Sequence, residues 1–185
     1  MGAKFTISNV IWITGLSAAG KTTLGRLVTE ALRRQGDPAV LMDGDELREA
    51  LAAVSNHSAE ARLELAHKYS RLARMVASQG VTVVVSTVAL FHEIHRWNRE
   101  NLPGYFEVYL KVPIDELRRR DPKGIYNRYD QGELKNVAGL DMAIEEPLHP
   151  DLVIEYQSGL APEVELQRVM EALSEMRSTR TGIVD

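Results

Sequence analysis

The sequence contains no cysteine among its 185 residues. This absence excludes disulfide bonds, thiolate metal sites and a cysteine nucleophile. A large excess of one charge is also missing, because 22 basic and 26 acidic residues leave a formal net charge of only -4. This balance gives no reason to expect binding to nucleic acid or to a membrane. No stretch approaches the ~20 apolar residues of a membrane span, and the opening MGAKFTISN lacks the apolar run of a signal peptide. We expect a cytoplasmic enzyme-sized protein, and the length favours one domain over residues 1–185.

Five short apolar runs alternate with helical patterns along the chain. Several of the runs are continuous, which is typical of strands that helices cover on both faces. The alternation predicts an α/β fold, a three-layer sandwich with a mainly parallel five-stranded sheet and helices on both faces. The predicted strands are residues 10–14, 39–43, 81–86, 106–112 and 151–156, and the helical patterns are residues 21–34, 45–53, 58–78, 91–101, 113–119 and 162–176.

Residues 121–150 interrupt this rhythm with glycines, prolines and charges and show no strong period. An insert of that length in a compact domain is usually either functional or disordered. The basic stretch RRRDPKGIYNR, residues 118–128, stands at its beginning. Small kinases close basic lids over the phosphoryl group in transfer, so Lys123 and Arg128 are candidate lid residues. The alternative is a solvated charged surface.

The segment GLSAAGKT, residues 15–22, fits the phosphate-binding pattern G-x-x-x-x-G-K-[ST] between a predicted strand and a predicted helix. Its glycines let successive backbone N–H groups face one anion, and the helix adds its positive N-terminus. Lys21 would contact the β- and γ-phosphates and the Thr22 hydroxyl would bind Mg²⁺. The pattern predicts a P-loop fold that binds a nucleoside triphosphate. The predicted nucleotide-binding residues are Gly15, Ser17, Ala18, Ala19, Gly20, Lys21, Thr22 and Thr23.

The second predicted strand ends in the sequence MDGDELR, which contains Asp43, Asp45 and Arg48. Ligands of open parallel sheets lie beyond the carboxyl ends of the strands, so both aspartates should face the phosphates. One carboxylate would hold Mg²⁺, and the other would accept the proton of an attacking hydroxyl. Arg48 would then bind an anionic acceptor. The alternative is that Asp45 caps the next helix and Arg48 is a surface residue.

These motifs together resemble the adenylylsulfate (APS) kinases. The resemblance spans residues 9–156 and includes DGDELR, RDPKGIY, GELKNVAGLD and EEP-x-x-PDLVI in the family's order. It implies Mg²⁺-dependent transfer of the ATP γ-phosphoryl group to the ribose 3′-hydroxyl of APS, which makes PAPS. It also implies a homodimer and a lid of about residues 121–150 that carries the DPKG segment.

Residue by residue, the resemblance gives Asp45 the role of base and Asp43 a role at the metal and in catalysis. Lys21 and Lys123 join them as catalytic residues. The residues that it places at the acceptor are Arg48, Arg62, Leu65, His67, Ser86, Lys135 and Val137.

Three of those acceptor positions depart from the family. Leu65 replaces an asparagine, His67 an arginine, and Val137 a phenylalanine, while a partner aromatic is absent from residues 53–57. In the family the two aromatics enclose the adenine of APS. Because base stacking contributes about 1–3 kcal/mol, their loss should weaken APS binding roughly tenfold or more. One alternative is therefore a relative with another acceptor, such as the cytidine diphosphoramidate kinases of polysaccharide modification. A nucleotide-binding regulator without transfer is a further alternative.

Overall fold

The computed structural model describes residues 9–53 and 58–181. Five parallel strands form one sheet in the order β2-β3-β1-β4-β5, so the predicted number of strands is confirmed and the sheet is entirely parallel. The strands are β1 Val10–Gly15, β2 Ala39–Asp43, β3 Thr82–Thr87, β4 Phe106–Lys111 and β5 Leu152–Glu155. The helices are α1 Lys21–Arg34, α2 Gly44–Ala50, α3 Ala59–Ala77, α4 His92–Asn101, α5 Ile114–Arg120, α6 Ile125–Asp130 and α7 Pro162–Thr181.

The continuous apolar runs exist because the central strands are covered on both faces. Every residue of β1 is buried: Ile11 and Ile13 face a core built with α1 and α7, while Val10 and Trp12 face a second core built with α3 and α4. The alternation of successive side chains across a strand produces this division. The three-layer sandwich predicted from the sequence is therefore confirmed.

The strand register brings the chemistry-bearing strand ends to one edge of the sheet. Asp43 at the end of β2 lies opposite Ser86 of β3, and Thr87 lies opposite Thr14 of β1. The loop that follows β1 therefore begins beside the acidic end of β2, with only β3 between them. Within the described ranges, no helix is both long and apolar enough to cross a bilayer.

Residues 121–150 contain more order than their sequence indicates. They form α6 and an isolated bridge between Ala138 and Met142, and they bury Tyr126 and Val137 in the core that contains α1. A six-residue helix completes fewer than two turns, so it leaves no readable period in the sequence. Residues 54–57, where the sequence lacks the family's partner aromatic, lie outside the described residues.

Candidate active site

The loop between β1 and α1 needs glycine at two positions for different reasons. A Cβ on Gly15 would lie 2.7 Å from the Leu110 carbonyl oxygen, so only glycine lets β4 approach this closely. Gly20 precedes α1 with φ of 100°, a left-handed conformation that glycine adopts at little cost. Ala18 is also left-handed, with φ of 64°, which costs a non-glycine residue of order 1–3 kcal/mol. The loop therefore holds a strained bend directly before a helix N-terminus.

Lys21 lies over the inside of this bend, where its ammonium group donates a 2.6 Å hydrogen bond to the carbonyl oxygen of Leu16. Desolvation, followed by the positive charge of Lys123, lowers the pKa of Lys21 from 10.5 to about 8, although Asp45 and Asp43 oppose the shift. An ammonium group held in this way is prepared to exchange a carbonyl oxygen for phosphate oxygens.

Asp43 is tied to the backbone and to the loop at once. The residue is buried, at 5% exposure, and its Oδ2 accepts a 2.6 Å hydrogen bond from the Thr22 hydroxyl. Its Oδ1 accepts a 3.0 Å hydrogen bond from the Asp45 N–H, which makes Asp43 the N-cap of α2. The sequence alternative that Asp45 caps this helix is therefore wrong, because the capping residue is the one two positions earlier.

Asp45 projects from the first turn of α2 into a cavity, with 56% of its side chain exposed. It accepts a hydrogen bond from Lys123 and lies 3.7 Å from Arg48. Burial raises the pKa of Asp45, but Lys123, Arg48 and Lys21 oppose this effect and the net result is a lowered pKa. The carboxylate is consequently held ionised by cations that a bound polyphosphate would also attract.

The cavity has a volume of about 750 Å³ and lies at the carboxyl edge of the sheet. Its walls come from the loop before α1, from α2 and the N-terminal half of α3, from the end of β3 and the residues after it, and from residues 120–123 and 138–144. This volume lies within the range of small-molecule binding sites in proteins. The predicted residues that line it are Ser17, Ala18, Gly20, Lys21, Thr22, Thr23, Asp43, Asp45, Arg48, Arg62, Leu65, Ser86 and Lys123.

The other predicted residues lie outside the lining. Gly15 ends β1, and Ala19 and Val137 are buried in the core at 3% and 6% exposure. His67 Nε2 is 2.8 Å from the Glu93 carboxylate, and its ring meets the edge of Trp97. Lys135 is exposed. The acceptor roles assigned to His67, Lys135 and Val137 stay predictions.

Two of the lining residues have evident packing partners as well. The Ser86 hydroxyl donates a 3.0 Å hydrogen bond to the Lys21 carbonyl oxygen, and it fills the space in which a Cβ on Gly25 would stand. Arg62 reaches across the cavity and donates a 2.8 Å hydrogen bond to the carbonyl oxygen of Asn136. Arg62 thus connects α3 to the segment that the sequence predicts to be a lid.

Sequence reasoning missed several lining residues, among them Tyr69, Phe91, Arg120 and Met142. Helical spacing from Arg62 and Leu65 places Tyr69 on the same face of α3, so the period alone contained that signal. No comparable local signal marks Met142, which follows no regular period. The Arg120 guanidinium lies 3.4 Å from the Ala18 carbonyl oxygen and stacks over the ring of Tyr156, the residue that follows β5.

The basic run of residues 118–128 is largely neutralised within the chain. Arg119 and Arg120 both pair with Glu116 at 2.7 Å, and Arg118 pairs with Asp130. Lys123, in contrast, directs its charge into the cavity toward Asp45. Of the cations in the run, Lys123 and Arg120 are the ones that line the cavity.

Together, the parallel sheet, the glycine-bounded bend before α1 and the paired acids at the end of β2 define a P-loop nucleotide-binding protein of the kinase type. The family model for adenylylsulphate kinase matches residues 7–155, so the chain belongs to the adenylylsulphate kinase family. It is accordingly a phosphotransferase that acts on a hydroxyl acceptor, as the sequence predicts.

The chain is similar to named relatives of more than one kind. The chain is 38% identical to a cytidine diphosphoramidate kinase of Campylobacter jejuni over 78% of its own length and 84% of the relative's. It is 34% identical to an adenylyl-sulfate kinase of Pseudomonas aeruginosa over 89% and 84% of the two chains. Among solved structures, the Mycobacterium tuberculosis APS kinase in complex with AMPPNP and APS superposes with a TM-score of 0.84 at 30% identity, covering 90% of this chain and 98% of that one.

Proposed function

We propose that the protein transfers the γ-phosphoryl group of ATP to the ribose 3′-hydroxyl of a nucleotide-type acceptor, nominally APS to PAPS. The observation that carries the proposal is the position of Asp45, an exposed carboxylate that shares one cavity with the phosphate-binding loop and with Arg48 and Arg62. A base, a phosphate site and acceptor cations within one cavity are the parts that phosphoryl transfer to an alcohol requires.

The donor half of the site supports ATP with Mg²⁺. The Thr22 hydroxyl and the Asp43 carboxylate lie within 2.6 Å of each other, and both are the hard oxygen donors that Mg²⁺ prefers. These two residues would hold the ion, which would withdraw charge from the phosphate oxygens. Lys21 would move from the Leu16 carbonyl oxygen to the β- and γ-phosphates.

The acceptor half of the site supports an anionic nucleotide. Arg48 and Arg62 would bind its phosphate and position the sugar, and Asp45 would take the proton as the hydroxyl attacks. Lys123 must first leave Asp45, and the transferring phosphoryl group would attract it, so residues 121–150 would act as a lid that completes the site on binding.

The acceptor is either APS or cytidine diphosphoramidate, and two observations favour the second as an alternative. The first is the 38% identity to a cytidine diphosphoramidate kinase. The second concerns the aromatic residues of the cavity. Val137, which replaces the family phenylalanine, is buried, and among the described residues the aromatic side chains that line the cavity are Tyr69 and Phe91. Neither residue stands at the position of the family phenylalanine that Val137 replaces.

The test is to follow ADP release from Mg²⁺-ATP while APS, cytidine diphosphoramidate and simple nucleotides are offered separately. Acceptor-dependent turnover with either of the first two compounds supports the proposal, and their kcat/KM ratio identifies the acceptor. ATP binding without any acceptor-dependent turnover would contradict the proposal and favour a regulator. The single-domain organisation, the homodimer and the cytoplasmic location stay predictions, and light scattering of the purified chain tests the homodimer.

A further inference from the structure

The loop that follows β3, residues 88–91, forms one wall of the cavity, and three other elements hold its backbone. The Val88 carbonyl oxygen accepts a 2.8 Å hydrogen bond from the Thr14 hydroxyl, and the Ala89 carbonyl oxygen lies 3.1 Å from His95 Nε2. The Leu90 carbonyl oxygen accepts a 3.1 Å hydrogen bond from the backbone N–H of Glu145. Contacts from outside the cavity therefore hold the backbone of this wall, while the side chains of Ala89 and Leu90 are buried.

Glu145 makes a second and stronger connection to the same region. Its carboxylate accepts a 2.6 Å hydrogen bond from the His92 N–H, at the first turn of α4, where the N-cap residue Phe91 provides no side-chain hydrogen bond. An acidic group at that position also meets the positive end of the helix. The ring of His92 makes a further contact with the same segment, because its Nε2 lies 2.9 Å from the carbonyl oxygen of the next residue, Glu146.

These contacts join two walls of the cavity that are far apart in sequence. Leu90 and Phe91 line it on one side, and Met142, Ala143 and Ile144 line it on another. Glu145 lies between the two groups, follows Ile144 directly, and is not itself part of the lining. A displacement of Glu145 would therefore alter the spacing of the two walls while leaving the loop before α1 unchanged.

We propose that Glu145 is a positioning residue, which sets the distance between the 90–91 wall and the 142–144 wall and thereby the affinity for the acceptor. The inference rests on the proposed function, because it assigns these walls to the acceptor half. They share the cavity with Leu65 and Arg62 of α3, and Leu65 and Phe91 pack against the same hydrophobic core. Glu145 acts through the backbone of Leu90 and His92 and not through contact with the substrate.

The test compares Glu145→Ala with Glu145→Gln. Alanine removes the acceptor of the His92 N–H, whereas glutamine keeps an oxygen at that place. Loss of a helix cap of this kind weakens the local structure modestly, so Glu145→Ala should raise the acceptor KM by about three- to tenfold. The ATP KM should stay within about twofold of wild type. Glu145→Gln should have an acceptor KM close to that of wild type. A matched control is Glu146→Ala, because that side chain pairs with Lys111 at 3.0 Å and its contact with His92 is made by the backbone.

Hydrogen exchange of the peptide that spans residues 88–95 provides a readout independent of turnover. Glu145→Ala should accelerate exchange at the start of α4, and Glu145→Gln should not. A wild-type chain without acceptor-dependent turnover would overturn the proposed function. The exchange experiment would still test the contact between Glu145 and the start of α4. Unchanged exchange and unchanged acceptor KM in Glu145→Ala, or an equal rise of both KM values, would overturn the inference. Rapid exchange throughout the sheet in Glu145→Ala would mean that this variant is unfolded. In that case an acceptor KM of Glu145→Gln well above that of wild type would overturn the inference.

Discussion

Binding of a triphosphate to the loop before α1 should be accompanied by proton uptake at Lys21. In the ligand-free chain, desolvation and the charge of Lys123 lower the pKa of Lys21 to about 8. Phosphate oxygens beside the ammonium group favour its charged form, so binding should return the pKa to its ordinary value or above it. The proton taken up is then the difference in protonation between the free and the bound chain.

The size of the effect follows from the pKa of about 8. At pH 9 roughly one Lys21 side chain in ten is protonated in the free chain, so each triphosphate bound should take up about 0.9 proton. At pH 7 about nine in ten are already protonated, and the uptake should fall to about 0.1 proton. Because the free pKa lies below the bound one, affinity is greatest below pH 8 and should fall about tenfold per pH unit above it.

Calorimetric titration with a non-hydrolysable ATP analogue, in buffers with different ionisation enthalpies, measures this uptake at pH 7 and pH 9. Lys21→Met should abolish the difference between the two pH values. Lys123→Met should reduce the uptake at pH 9, since removal of the neighbouring charge raises the pKa of Lys21 in the free chain. Uptake below about 0.2 proton at pH 9, or equal uptake in Lys21→Met, would refute the reasoning.

Three further predictions concern Asp45, Thr22 and Glu107. Asp45→Asn should lower kcat by about 10²–10⁴-fold, the usual contribution of a general base, while direct titration shows ATP affinity within a few-fold of wild type; a fully active variant would exclude Asp45 as the base. Thr22→Val should raise the Mg²⁺ concentration that gives half-maximal activity, because it removes the hydroxyl beside Asp43, and Thr22→Ser should retain wild-type behaviour. Burial raises the pKa of Glu107 from 4.5 to about 7, so the folded chain binds this proton more tightly than the unfolded chain does. The stability gained in this way is complete below pH 4.5 and is lost as the pH rises through 7. Glu107→Gln should therefore exceed wild type in the free energy of unfolding at pH 8 by up to about 3 kcal/mol and show little advantage at pH 4 in urea titrations; equal advantages at both pH values would contradict this assignment.

Much of the fold was predictable because its signals are local. A strand covered on both faces must be apolar throughout, so the run Val10–Thr14 identifies a central strand without any knowledge of its neighbours. The loop before α1 carries its own geometric requirements, since Gly15 admits the Leu110 carbonyl oxygen and Gly20 adopts a left-handed conformation. The proximity of Asp43 to Thr22 then follows from the parallel sheet, which places strand ends at one edge.

The 142–144 wall of the cavity was not predictable in the same way, because it lies in residues without a repeating period. Val137 was assigned to the acceptor from its position in the family pattern, yet its side chain packs into the core. Asp141 determines this local conformation, since its carboxylate accepts hydrogen bonds from the N–H groups of Asn136 and Val137 at 2.8 and 2.6 Å. Which side of such a loop faces the cavity depends on contacts distant in sequence, such as that between Glu145 and Leu90.

The two acids at the end of β2 are equivalent in sequence pattern, and their hydrogen bonds separate them. Both oxygens of Asp43 are occupied, one by the Asp45 N–H and one by the Thr22 hydroxyl, so this carboxylate joins the start of α2 to the loop before α1. The partners of Asp45 are Lys123 and Arg48, cations on long side chains at an exposed position. Such cations can be drawn away by the phosphates of the two substrates, and their departure raises the pKa of Asp45 toward the range of a working base. The fixed carboxylate therefore suits the metal, and the carboxylate with exchangeable partners suits proton transfer.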